Sequence, residues 1–138
     1  MTERPLVEKK LALAESYVAD LRRLARTDRL DSDVRERRFV EHSLQLAIQA
    51  CLDVASHVVS SERLGEPTTN RSMFSRLEQA GWVDASMAST MTKVVGLRNV
   101  LVHGYADVDT NVVREVVDHR LDDLLAFVAA IRRGLERP

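Results

Sequence analysis

The sequence predicts an all-α fold, an up-down bundle of four long helices plus one short helix. Two observations carry this. Apolar residues recur at three- and four-residue intervals along nearly the whole 138-residue chain, the period of an amphipathic helix. Strand signals are poor, because aromatics make up only 4% of the chain and no polar-apolar alternation is sustained. The segments between the periodic stretches are short, which favours antiparallel neighbours.

The first helix is expected from about Arg4 to Arg26, with Leu6, Leu13, Tyr17, Leu21 and Leu24 along one side and Pro5 tolerated in its first turn. Asp33 is a candidate N-cap for the second, with Glu36 three residues on, and that helix runs to about Arg63. Val40, Leu44, Ala47, Cys51, Val54 and Val58 form a heptad-spaced stripe on it; Ile48, Leu52, Ala55 and Val59 widen the stripe well past that of a peripheral helix, so this helix should be central. A loop with Gly65 and Pro67 leads to a short helix, Arg71 to Ala80, that stops at Gly81. Asp84 can cap a fourth helix carrying Met87, Met91, Val94 and Leu97. After a loop at 102–109, one final helix is expected to run to about Leu135 on Val117, Leu121, Leu124, Val128, Ile131 and Leu135.

Composition narrows the function. A net charge of −1 argues against a dedicated duplex-DNA binder. Arg22, Arg23, Arg26, Arg29, Arg35, Arg37 and Arg38 nevertheless fall close together in sequence. They read either as a local track for a nucleic-acid backbone or as two solvated helix faces, and the interleaved Asp20, Asp28, Asp31, Asp33 and Glu36 favour the second. The lone Cys51 lies on an apolar stripe, which excludes a disulfide framework. Residues 1–5 lack the apolar core of a signal peptide and no run approaches a membrane span. The expectation is one cytoplasmic domain over 1–138, without a membrane partner.

Chemistry concentrates in Arg98-Asn99-Val100-Leu101-Val102-His103-Gly104-Tyr105. Arg98 offers a permanently charged planar fork of donors suited to phosphate. His103 is the side-chain type best placed to move a proton near neutrality. An unbroken helix would leave the two about 140° apart, so one chain could not aim both at one phosphate. Either the helix ends between them, as Gly104 suggests, or the site is assembled across a symmetric dimer. His42, Gln45, Gln49, Asp53 and Ser56 form a polar stripe on the second helix, either a solvated seam or a cleft lining in which Asp53 orients His103 or Arg98. His57 and His119 have no partner at metal-ligand spacing, a single cysteine cannot build a zinc site, and no cofactor motif occurs; neither metal nor cofactor is expected.

Arg98 to Tyr105 reads Arg-x4-His-x-Tyr, and its setting, MTKVVGLRNVLVHGYADVD, resembles the HepT-like branch of the HEPN superfamily. The long helix RRFVEHSLQLAIQACLDVASHVV, the Gly/Pro loop, LEQAGWVD and DTNVVREVVDHRLDDLLAFVAAI follow in family order, so the resemblance covers most of the chain. It implies a metal-independent endoribonuclease, the toxin of a type VII-like toxin-antitoxin pair, with RNA as substrate. It implies Arg98 and His103 as catalytic residues and a homodimer that brings two copies of the motif to one cleft; beside them, the residues themselves offer Asn99 and Asp53 as candidate supporting positions. It also implies a small nucleotidyltransferase antitoxin of the MntA kind that silences the toxin by transferring AMP to Tyr105. The competing reading is a non-catalytic helical binding module that holds a nucleotide or substrate for a nucleotidyltransferase. A further homodimer argument is physical: the wide apolar face of the second helix and Met87, Met91 and Val94 exceed what one small bundle easily covers.

Overall fold

The computed structural model describes residues 3–103 and 108–137. They form α1 (Arg4–Leu24), a 3-10 turn (Thr27–Arg29), α2 (Val34–Ser61), α3 (Asn70–Gln79), α4 (Ala85–His103), α5 (Thr110–His119) and α6 (Leu121–Leu135), with no strand among the described residues. The all-α expectation holds. The helix count differs, because the single final helix is two.

The α2 stripe packs as its spacing requires. Val40, Leu44, Ala47, Ile48, Cys51, Leu52, Val54, Ala55, Val58 and Val59 are all buried, and α2 touches α1, α3, α4 and α6. Burying a side chain of this size stabilises the fold by roughly 1.5–3 kcal/mol. The whole wide stripe is covered within one chain, so it supplies no uncovered face for a dimer, contrary to the argument from apolar area. Burial also pushes the Cys51 thiol up to about 12, leaving it an inert core group.

On α1 the inward face is not the one expected. Val7, Leu11, Ala14, Val18 and Leu21 are buried, whereas Leu6, Leu13 and Leu24 are exposed and Tyr17 is half-buried at the core edge. Both sets have helical spacing, but Lys10 and Asp20 interrupt the second; the first is apolar at every turn. On α4 the inward face is likewise rotated, to Ala88, Met91 and Val95, with Met87, Val94, Leu97 and Leu101 half-buried.

Caps set the helix starts. Asp33 accepts from the backbone N–H of Arg35 at 2.9 Å and of Glu36 at 3.4 Å, while the Glu36 carboxylate takes the Arg26 N–H at 2.8 Å. Thr69 and Ser72 form a reciprocal capping box that starts α3 one residue earlier than expected. Asp84 accepts from the Met87 N–H at 2.7 Å, and Gly81 takes the left-handed conformation (φ 82°) that ends α3. The break between α5 and α6 falls at Arg120 without Gly or Pro. Periodicity does not register it, because Val113, Val117, Leu121 and Leu124 keep helical spacing across the break and all four are buried.

Polar ties fasten the outer helices. Arg132 of α6 grips Glu15 of α1 with two N–H donors at 2.8 and 2.7 Å and reaches Glu8 at 3.2 Å. The Arg132 hydrogen bonds hold the Glu15 carboxyl below its usual range. Phe74 of α3 and Phe127 of α6 meet edge to face, ring centroids 6.0 Å apart. Gly134 lies against the ring of Trp82, which also carries the Arg137 guanidinium 5.3 Å from its centroid. A Cβ at Gly134 would overlap the indole. Gly134→Ala should therefore lose about 1–3 kcal/mol by overpacking, despite the better helix propensity of alanine. Denaturant unfolding checks this, and an unchanged or raised midpoint would refute the packing role.

Candidate functional site

Arg98 stands on α4 facing α2, where a carbonyl oxygen waits for it. Its Nε–H donates to Gln49 Oε1 at 2.8 Å, and its Nη1 donates to Asn99 Oδ1 at 3.1 Å. The other end of the Gln49 amide donates to Asp53 Oδ1 at 2.7 Å, and Asp53 Oδ2 is paired with Lys10 Nζ of α1 at 3.2 Å. Charge alternates along this chain, from ammonium to carboxylate to amide to guanidinium, so each link orients the next. Asp53 thus acts on Arg98 through Gln49 and makes no contact with His103. Of the five guanidinium N–H donors, these bonds use two and leave three without a partner among the described residues.

The half-buried Arg98 borders a hollow of about 560 Å3 lined on α2 by Gln49, Asp53 and Ser56 and opposite by Pro67, Thr68 and Thr69. The loop wall is held from below. Arg76 donates to the carbonyls of Leu64 (3.4 Å) and Glu66 (3.3 Å), and Gly65, at φ 105°, lies close over its guanidinium. The remaining stripe residues, His42 and Gln45, line a second hollow of about 750 Å3 together with Arg38, Phe39, Leu101 and Val108. The expected polar stripe on α2 therefore borders open space at both ends, and the last turn of α4 lies between the two hollows.

His103 is exposed in that last turn. The helix does not end between Arg98 and His103, which corrects the first of the two alternatives. Five helical residues turn through about 500°, which sets the two about 140° apart on α4. Gly104 and Tyr105 lie outside the described residues. The chain resumes at Val108 and enters α5 under the cap of Asp109, whose carboxylate accepts from the Asn111 N–H at 2.9 Å. Just beyond, Asp31 accepts from Thr110 Oγ1 (2.6 Å) and Arg114 Nη2 (2.8 Å), and these bonds hold its carboxyl below the usual range. Arg114 Nε donates to the Thr27 carbonyl at 3.0 Å, and Thr27 Oγ1 donates to Asp118 at 2.8 Å. Helix α5 is thus pinned to the 3-10 turn and the residues just after it.

His57 accepts from the Glu3 N–H at 3.4 Å, a tie of the N-terminal turn. No group of three or more His, Cys, Asp or Glu among the described residues is placed to share a metal ion, and no described helix is long and apolar enough to cross a membrane.

A family model described as ribonuclease HepT-like matches residues 8–131. The chain belongs to this family. Among its relatives, an mRNA nuclease HepT of Shewanella oneidensis is 34% identical over 90 residues, 65% of this chain and 68% of that protein. A tRNA nuclease HepT of Aphanizomenon flos-aquae is 29% identical over 135 residues, 96% of this chain and 92% of that one. A solved structure of a tri-AMPylated Shewanella oneidensis HEPN toxin in complex with an MNT antitoxin superposes with a TM-score of 0.85 at 27% identity, covering 96% of this chain and 99% of that chain. This HepT-like chain shares its helical frame with that toxin over most of its length.

Gln49 carried a signal as one member of the polar stripe; Lys10 carried none, since a lysine on a helix flank has no distinguishing pattern. Gln49→Leu should free the Arg98 guanidinium while costing about 1 kcal/mol or less, because the bond is only partly shielded from water. In nitrogen-detected NMR the Arg98 Nε–H resonance should move to the position of a free arginine with the midpoint of unfolding nearly kept. An unmoved resonance would show that Gln49 does not hold Arg98.

Proposed function

We propose that this chain is a metal-independent endoribonuclease toxin whose site is completed by a second copy. The observation that carries the reading is Arg98, tethered by Nε to Gln49 with three N–H donors left over, in a chain that belongs to the ribonuclease HepT-like family. In the reaction, the ribose 2′-oxygen attacks the adjacent phosphorus and the bond from phosphorus to the 5′-oxygen breaks. One His103 takes the proton from the 2′-hydroxyl, the His103 of the second copy gives one to the leaving oxygen, and Arg98 neutralises charge on the non-bridging oxygens. Asn99, bonded to Arg98, supports its placement.

The angular gap on α4 favours the dimer, since a two-fold axis near the helix end brings the Arg98 of one chain toward the His103 of the other. Val100 and Val112, 46% exposed, flank the end of α4 and the start of α5 and suit such a contact.

Silencing follows the precedent of the tri-AMPylated toxin bound to its antitoxin. Tyr105, two residues past His103, is the proposed acceptor of AMP from a nucleotidyltransferase of the MntA kind. A phenol is neutral at pH 7 and needs activation by that enzyme. The attached phosphate and base then compete with RNA for Arg98.

Arg98→Ala and His103→Ala should each lower RNA cleavage by at least about a hundredfold without unfolding the protein, Arg98→Lys should rescue poorly, and EDTA should have no effect. Cleavage lost in EDTA and restored by a divalent ion would overturn the metal-independent reading. Coexpression with the nucleotidyltransferase should add AMP-sized mass to the wild type and not to Tyr105→Phe; equal addition to both would remove Tyr105 from the account.

A further inference from the structure

The polar stripe of α2 does not stop at His42. Arg38 lies four residues before it, so Arg38, His42, Gln45 and Gln49 fall within about a quarter-turn of one another on the helix surface. Arg38 and His42 are exposed, and among the described residues no hydrogen bond or ion pair ties down either one. Their neighbour Arg37 is different, being paired with Glu41 at 3.1 Å, which also neutralises a carboxylate bordering the hollow. Beside the two free side chains the hollow turns apolar, with Phe39, Leu101 and Val108. Two unpaired polar donors along one edge and an apolar floor make a surface for a nucleotide, its phosphate on the donors and its base on the floor.

We infer that the hollow at the N-terminal half of α2 is a subsite for single-stranded RNA beyond the scissile phosphate, with Arg38 holding a backbone phosphate and His42 assisting it. This rests on the ribonuclease reading and extends it to substrate length. Arg38 lies eleven residues from Gln49, about 17 Å along the helix axis, so RNA held at Arg98 reaches Arg38 only if it continues for a few nucleotides. Of the other clustered arginines, Arg37 borders the hollow but is paired with Glu41, and Arg26, Arg29 and Arg35 do not border it. Arg22 is paired with Asp122 and Arg23 with Asp20, and neither borders the hollow. Charge complementarity therefore selects one end of the cluster as the track and leaves the rest as solvated helix surface.

The test uses the full chain with His103→Ala, so that RNA is bound without being cut, and a twelve-nucleotide single-stranded RNA of mixed sequence as probe. Adding Arg38→Ala should weaken binding by roughly tenfold, and the slope of log affinity against log salt should flatten by about 0.7, the loss of one single-strand phosphate contact. With His103 intact, Arg38→Ala should raise KM for the twelve-mer and leave the turnover of a dinucleotide, too short to reach Arg38, as it was. The inference is overturned if Arg38→Ala binds and cuts the twelve-mer like its parent. It is overturned equally if the deficit is the same on the dinucleotide, if the salt slope holds, or if the variant loses its dimer or its antitoxin instead of RNA. A wild type that cuts RNA while Arg38→Ala is silent removes the subsite alone; a wild type that neither binds nor cuts RNA removes the ribonuclease reading with it.

Discussion

Helix α4 continues through His103, and the placement of Arg98 relative to His103 follows from that. A helix turns about 100° per residue, so groups five apart cannot converge unless the backbone between them breaks. It does not break here. Arg98 is turned inward to meet Gln49, and His103 is left exposed at the rim. A single copy thus presents the proposed phosphate-binding guanidinium on one side of the helix and the proposed proton carrier on the other. The proposed dimer resolves this without distortion, because a two-fold axis turns the separation within one chain into a juxtaposition between two.

Helix α2 makes the arrangement rigid. One broad face is buried against α1, α3, α4 and α6 and fixes the position of the helix. The narrow remaining strip is polar and borders two hollows, one beside Arg98 and one beside Arg38. The tether from Lys10 through Asp53 and Gln49 to Arg98 thus draws on three helices that the core already holds in register. A guanidinium on such a mount loses little freedom when a phosphate arrives, which is how preorganised charge lowers a barrier.

Much of this was legible in the sequence. The buried stripe of α2, the caps at Asp33, Asp84 and Gly81, and the family-like motif at 98–105 could all be read directly, because each depends on local spacing or local chemistry. The inward face of α1 reads wrongly from sequence, since Leu6 and Leu13 advertise a second stripe whose interruption by Lys10 and Asp20 is a weaker signal than the apolar side chains themselves. The break at Arg120 was hidden because the apolar period runs through it, and because α5 is tied by residues distant in sequence, Thr110 and Arg114 to Asp31 and Arg114 and Asp118 to Thr27. At the site, Arg98 and Asp53 were legible as residues, but their connection was not. It needed Gln49 as intermediary and Lys10 from another helix, and a polar stripe alone does not say which of its members faces a cation.

The central claim is that one functional site draws its arginine and its histidine from different chains. Complementation tests it most directly. Arg98→Ala and His103→Ala, each inactive alone, are coexpressed with distinguishable tags, and the mixed dimer is purified through both. The account predicts RNA cleavage in the mixed dimer above that of either parent, since one chain supplies Arg98 and the other His103, and below that of the wild type, since only one of the two His103 proton carriers remains. A mixed dimer that forms and remains as inactive as its two parents would contradict it.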